Sequence, residues 1–182
     1  MKKLFILVGP SASGKTYTEE ALILHHRFNR LVAMTSRDVR AGELNGIHYN
    51  YKTVAECNDV SDYAFKIEIN PLWLYILPSS DLSKQLDNGE DDSIFVYSLI
   101  NSEPAIDLIN HMKIAHPDIE VKVVIFRIDE GQRMQLLSDR GDSESSICQR
   151  LAREEDLLKS SLNPDIVTTN IHESLGKILE LV

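Results

Sequence analysis

Eight consecutive residues near the start, Gly9-Pro10-Ser11-Ala12-Ser13-Gly14-Lys15-Thr16, combine small, hydroxyl-bearing and cationic side chains at a spacing suited to holding phosphate. They fit G-x-x-x-x-G-K-[ST], in which the glycines allow a tight turn and successive backbone N–H groups converge on phosphate oxygens at a helix N-terminus. The residues assigned to the triphosphate are Gly9, Ser11, Ala12, Ser13, Gly14, Lys15 and Thr16. Lys15 is suited to the β- and γ-phosphates, and the Thr16 hydroxyl to a Mg²⁺ ion. An incidental Gly-rich strand-to-helix turn is the structural alternative, and the flanks argue against it. Residues 4–8 are a continuous apolar run, and residues 16–26 read as a helix. The motif by itself does not separate kinases from GTPases, ATPases or transporters.

A second group of side chains follows in "TSRDVRAGELNGIHYNY", residues 35–51. Arg37, Arg40 and the Tyr49 hydroxyl are suited to gripping a phosphate monoester. A charged surface loop with a turn is the plain alternative. Arginines gather again at Arg133, Arg140, Arg150 and Arg153. On a helix, however, Arg150 is also spaced to pair with Glu154 at the surface.

The elements that must position these groups alternate in type. Strands are expected at residues 4–8, 31–34, 47–53, 93–100, 121–128 and 166–169, with a strand-rich stretch at 62–77. Helices are expected at 16–26, 79–88, 103–115, 131–138 and 143–160, and at the C-terminus. Strands alternating with helices point to an α/β fold built on a mostly parallel sheet, and the cluster between residues 49 and 77 to a small antiparallel insertion. With 182 residues, 43% of them hydrophobic, the chain suits one domain with a real core. A net charge of -9 argues against sequence-independent nucleic-acid binding. Only Cys57 and Cys148 are present, far apart, which suits free thiols in a reducing compartment. Residues 4–8 are too short for a signal peptide, and no segment is long and apolar enough to span a membrane, so a cytoplasmic protein is expected.

Residues 35–51 resemble the acceptor region of guanylate kinases, close to T-[TS]-R-x-x-R-x-G-E-x-x-G-x-x-Y. Arg37, Arg40, Gly42, Glu43, Gly46 and Tyr49 fall on that pattern without a gap. "DRGDSESSICQRLAREED", residues 139–156, resembles the lid of the same family, with Arg140 and Arg150 on its lid arginines. "DIVTTNIHESLGKIL", residues 165–179, is similar to its strand-Asn-turn-helix ending, which would set Asn170 against the donor adenine. The resemblance implies a P-loop NTPase-type parallel sheet flanked by helices. Its core would lie at about 1–34, 79–130 and 160–182, with an acceptor-binding insertion at about 35–78 and an arginine-bearing lid at about 131–159. It also implies a transferase that moves the γ-phosphoryl of ATP, with Mg²⁺, to a nucleoside monophosphate, GMP or dGMP first. Lys15, Arg140 and Arg150 would be catalytic, and Arg37, Arg40, Tyr49 and Glu68 would bind the acceptor. Neither nucleic acid nor membrane is implied as a partner.

The sequence also departs from the pattern. A guanine-binding serine of the family is Ala33 here, and Glu68 falls at the spacing of its base-reading glutamate. Its tyrosine-glycine-serine/threonine element is not recognisable, with Tyr75, Ser79 and Ser80 as nearby candidates. Two acids that end a core strand correspond to Tyr97 and Leu99, and a further lid arginine to Leu136, with Arg133 three residues before it. Three readings stand: a GMP or dGMP kinase, a same-fold kinase for another nucleoside monophosphate (a modified one included), and a catalytically silent nucleotide- or protein-binding module.

Overall fold

A computed structural model of the chain describes residues 1–139, 141, 143–145, 147–148, 151 and 162–182. Its centre is a five-stranded parallel sheet, ordered β2-β7-β1-β8-β9. The strands are β1 (Lys3–Val8), β2 (Asn29–Arg30), β7 (Ile94–Leu99), β8 (Glu120–Phe126) and β9 (Ile166–Thr168). β1 is apolar on both faces because both are covered. Leu4, Ile6 and Val8 join Leu108 and Met112 of α4 (Ser102–Ala115) and Leu82 and Leu86 of α3 (Ser79–Asp87). Phe5 and Leu7 join Leu22 of α1 (Lys15–His26) and Ile178 of α6 (Ile171–Leu179).

A second sheet, ordered β4-β3-β6-β5, stands beside the first. It holds β3 (Met34–Thr35), β4 (Asn50–Tyr51), β5 (Tyr63–Asn70) and β6 (Trp73–Pro78). β5 and β6 form an antiparallel hairpin, while β3 pairs parallel with β4 and antiparallel with β6. Leu74, Ile76 and Met34 pack on Cys57 of α2 (Val54–Asn58). Phe65, Ile67 and Leu77, on the other face, belong to the main core. The lid region holds α5 (Glu130–Asp139); of the expected helix over 143–160, residues 144, 145, 147, 148 and 151 are helical and most of the rest lies outside the described residues.

Two expected strands come out differently. The run at 31–34 is divided between the two sheets. Leu31 N–H still bonds the Val96 carbonyl, at 3.1 Å. Val32 is then taken by one side chain: Gln85 Oε1 accepts from its N–H at 2.7 Å and Gln85 Nε2 donates to its carbonyl at 3.0 Å. The amide thus substitutes for a strand neighbour and lets the chain leave one sheet for the other. The expected strand at 47–53 shrinks to Asn50–Tyr51, because both the Ile47 and His48 N–H groups fold back onto the Leu44 carbonyl. Alternating aromatic and polar residues there mark a turn.

Gln85→Ala leaves both backbone groups of Val32 without that partner, so unfolding free energy should fall by about 1–3 kcal/mol in urea titrations. A loss within measurement error would show that water serves Val32 equally well.

Candidate active site

The phosphate loop leaves β1 where three strands end together. Gly9 N–H bonds the Leu99 carbonyl of β7 at 3.2 Å, and a Cβ on Gly9 would lie 2.8 Å from Phe126 Cβ of β8. Only glycine fits between those strand ends. Ala12 and Gly14 both take left-handed backbone, φ 58° and 89°, which turns the chain into α1. A Cβ on Gly14 would meet Ile171 Cγ1 at 2.5 Å, so the start of α6 is packed against the loop. Lys15 is buried, and its Nζ donates to the carbonyls of Gly9 and Pro10 and to Ser13 Oγ, holding the ammonium over the loop. Thr16 is exposed at the first turn of α1. Asn170 caps α6, its Oδ1 accepting from His172 N–H at 2.9 Å.

Arg133 joins this group. It is buried on α5, and its Nε donates to the Ser11 carbonyl at 3.2 Å. The α5 residue Leu137 packs with Ala12 of the loop. Spacing alone left Arg133 out of line with the lid arginines, and only the direction of α5 brings it in. Arg140 and Arg150, like Arg153, lie outside the described residues.

The acceptor group is built around Arg37, which is 5% exposed. Its Nη1 and Nη2 donate to the two oxygens of Glu43 at 2.8 and 2.6 Å, and its Nε donates to Tyr75 Oη at 2.9 Å. Three rings surround the guanidinium, with Tyr49, Tyr51 and Tyr75 centroids at 5.0, 5.8 and 6.0 Å. Glu43 also accepts from Tyr51 Oη at 2.6 Å and from Arg40 N–H at 2.9 Å, so it fixes the backbone of the second arginine as well. The Arg40 residue is exposed. Arg37, Arg40 and Tyr49 are therefore brought together, as the spacing predicts. Tyr75, only a candidate in the sequence, is a full member. Tyr51 and the role of Glu43 were missed, although Glu43 lies on the motif itself.

Glu68 is not brought to this group. It is exposed, and its cross-strand partner is Leu74. Cross-strand partners share a face. Leu74 faces α2, whereas Tyr75 and its partner Ile67 are on the other face, beside Tyr49. The nineteen-residue spacing from Tyr49 is therefore not evidence of a base contact. The β5 residue beside the core strand is Phe65, whose ring lies 5.3 Å from that of Tyr97. Tyr97 and Ala33 are buried, and no acid projects from the end of β7 itself. One acid approaches it from α1: Glu19 accepts from Ser98 Oγ and from Arg30 Nε, the latter at 2.8 Å.

Burial disfavours the charged form of Glu43. Hydrogen bonds from Arg37, Tyr51 and Arg40 N–H outweigh it and hold the carboxyl at about 2, from an ordinary 4.5. Burial, reinforced by the adjoining Glu43 carboxylate, pushes the Tyr51 phenol up to about 12. Burial also raises Tyr49 and, most strongly, Tyr97, so all three phenols stay neutral at physiological pH.

Comparison with known proteins agrees with this fold. The guanylate kinase family model matches residues 1–65. A guanylate kinase of Wolbachia sp. subsp. Brugia malayi is 28% identical over 187 aligned positions, covering 98% of this chain and 91% of its own. One from Clostridium tetani is 26% identical, covering 98% and 84%. The crystal structure of guanylate kinase from Anaplasma phagocytophilum superposes with a TM-score of 0.61 at 17% identity, covering 99% of this chain and 84% of that one. The chain is similar to guanylate kinases in sequence and shares their fold. Among the described residues no three His, Cys, Asp or Glu side chains are grouped to hold a metal ion, and no helix is long and apolar enough to cross a membrane.

Because Glu43 is depressed in the folded state, its stabilising effect is complete above its unfolded value near 4.5 and is lost as pH falls toward 2. The difference in unfolding free energy between the unaltered protein and Glu43→Gln should be flat above about pH 5 and shrink steadily below about pH 4. Chemical denaturation across that range checks it; a constant difference down to about pH 2.5 would place the stabilisation elsewhere.

Proposed function

We propose that the chain is an ATP-dependent nucleoside monophosphate kinase that transfers the γ-phosphoryl of ATP to GMP or dGMP. The observation that carries the reading is the pairing of an intact phosphate loop with a preformed arginine–tyrosine cluster for a second phosphate. A silent binding module has no use for both. The names of its relatives point to GMP. The placement of Glu68 and the burial of Ala33 and Tyr97 favour keeping one alternative, the same phosphate chemistry on another nucleoside monophosphate.

Loop N–H groups from Ser11 to Thr16 and the Lys15 ammonium bind the donor's β- and γ-phosphates. Arg133 adds positive charge against the loop, and Asn170 and Ile171 line the side where α6 begins. The exposed Arg40 and the Tyr49 hydroxyl take the acceptor phosphate, and Arg37 holds its place beside them. No general base is required, since the acceptor phosphate oxygen is already a competent nucleophile. Arg140 and Arg150 would neutralise the transferring group. Mg²⁺ fits a site with one protein hydroxyl, because it keeps most of its ligands as water and phosphate oxygens. Thr16 would hold it, and the ion would neutralise charge developing on the phosphates. The core (1–34, 79–130, 160–182), acceptor insertion (35–78) and lid (131–159) are the three parts through which closure would exclude water. The free thiols Cys57 and Cys148 and the acidic net charge support action in the cytoplasm, without nucleic acid or membrane as partner.

The test is ADP release with ATP, Mg²⁺ and a panel of ribo- and deoxynucleoside monophosphates. Turnover should be greatest with GMP or dGMP; turnover with AMP or a pyrimidine nucleotide alone would overturn the guanine assignment. ATP binding without turnover on any acceptor would favour the silent module. Lys15→Ala should reduce turnover by at least about a thousandfold, while Arg40→Ala should raise acceptor KM by about ten- to a hundredfold at little cost to ATP binding.

A further inference from the structure

A chain of charged groups links the phosphate-loop helix to the acceptor segment. Glu19, on α1 one turn after Thr16, has a side chain only 10% exposed. One of its oxygens accepts from Arg30 Nε at 2.8 Å, and the other from Ser98 Oγ at the end of β7. Arg30 Nη2 reaches on to Glu20 Oε1 at 3.4 Å. The same Glu20 oxygen faces His48 Nε2 at 3.9 Å, in the loop that carries Tyr49. His48 Nδ1 accepts from Leu44 N–H at 3.1 Å, which assigns the ring proton of a neutral His48 to the nitrogen facing Glu20. Arg30 ends β2, and seven residues of chain carry its position to Arg37.

The arrangement costs more than folding alone asks for. Glu19 is a buried residue of α1, whose Leu22 packs with Phe5 and Leu7 on an apolar sheet face. Replacing a buried ion pair by well-packed apolar residues is often neutral or stabilising, so a buried pair is weak evidence for stability and better evidence for fixed geometry. Here Glu19, Glu20 and Arg30 belong to the core, and Glu20 meets His48 of the acceptor segment, so the cluster joins the two parts whose separation sets the distance between donor and acceptor phosphates. Reactions of this kind are sensitive to that distance, and a displacement near 1 Å costs about a hundredfold in rate.

We propose that Glu19, through Arg30 with Glu20 and His48, forms a strut that fixes the spacing of the acceptor segment from the phosphate-loop helix. Glu19 is thus a positioning residue for phosphoryl transfer. The proposal rests on the kinase reading above. The strut acts on geometry and touches neither nucleotide, so it governs kcat rather than binding.

The experiment compares the unaltered protein with Glu19→Gln, Glu20→Gln and the double variant Glu19→Gln/Arg30→Gln. The acceptor is whichever nucleoside monophosphate the unaltered protein phosphorylates, and kcat is taken per ATP-binding site measured by calorimetry. Glu19→Gln should lower kcat about ten- to a hundredfold while ATP affinity and acceptor KM stay within about twofold. The double variant should be no worse than Glu19→Gln alone, and the surface change Glu20→Gln should act in the same direction but more weakly. If Glu19→Gln does not fold, a fall in kcat for Glu20→Gln without a change in KM supports the strut, and an unchanged kcat overturns it. Unchanged kcat in folded Glu19→Gln also overturns it, as does a fall explained by lost ATP binding or raised acceptor KM. An unaltered protein that binds ATP yet phosphorylates no acceptor overturns the kinase reading and the strut together.

Discussion

The parallel register of β1 between β7 and β8 is the constraint on which the site depends. β1 is paired residue for residue on both sides, Lys3 opposite Ile94 and Glu120 at one end, Val8 opposite Leu99 and Ile125 at the other. The chain therefore emerges between two neighbouring strand ends with no room for a side chain, and Gly9 meets Phe126 at once. A tight turn is the only way out, and the left-handed Gly14 delivers it into α1 with the loop N–H groups directed inward. Parallel sheets place their crevices at the carboxyl ends of strands, so the crevice, the loop and the acceptor sheet all lie on one side. Thr18 Oγ1 and Ser174 Oγ, 2.8 Å apart, tie α1 to α6 and keep the loop's far wall in place.

Charge fixes the second half of the site. A buried guanidinium has to find acceptors, and Arg37 finds them locally: two on Glu43, one on Tyr75 and one on the Asp38 carbonyl. Of the five N–H donors of an arginine, this leaves about one for a ligand. Arg37 therefore contributes position and field more than direct grip, while Arg40 is exposed beside it. The two motif arginines are thus not equivalent. Glu43 divides their labour by binding the side chain of one and the backbone of the other.

How much of this was legible in the sequence varied with how local the cause was. The phosphate loop and the Arg37–Tyr49 group are set by short-range geometry, and a fixed pattern of residue types reveals them. The break of the chain at Val32 depends on Gln85, fifty-three positions away, and no local pattern encodes it. Glu68 shows how a correct spacing misleads. The hairpin register fixes which face each residue takes, and one residue's difference moves a side chain to the opposite face. The reach of Arg133 to Ser11 depends on the direction of α5, which helical periodicity does not specify. No local pattern singles out Glu19, because its partner Ser98 lies seventy-nine positions away and Arg30 is reached only across the turn into β2.

Tyr97 and Leu99 in place of acids change where negative charge enters the crevice, and the change is tolerable for a physical reason. Tyr97 fills its position by packing on Phe65, and its phenol, raised by burial, carries no charge. Glu43 and Glu19 are each bound to an arginine, while Lys15 and Arg133 bring positive charge against the loop. Positive charge there would suit a triphosphate brought face to face with a monophosphate, whose mutual repulsion is the first obstacle to transfer. A protein that caged its Mg²⁺ in carboxylates could not lose them. One in which the ion would be held chiefly by nucleotide oxygens and water, with the hydroxyl proposed at Thr16, would lose less. What it cannot lose is the spacing between the two phosphates, which the proposed contacts of Glu19 and Arg30 would hold.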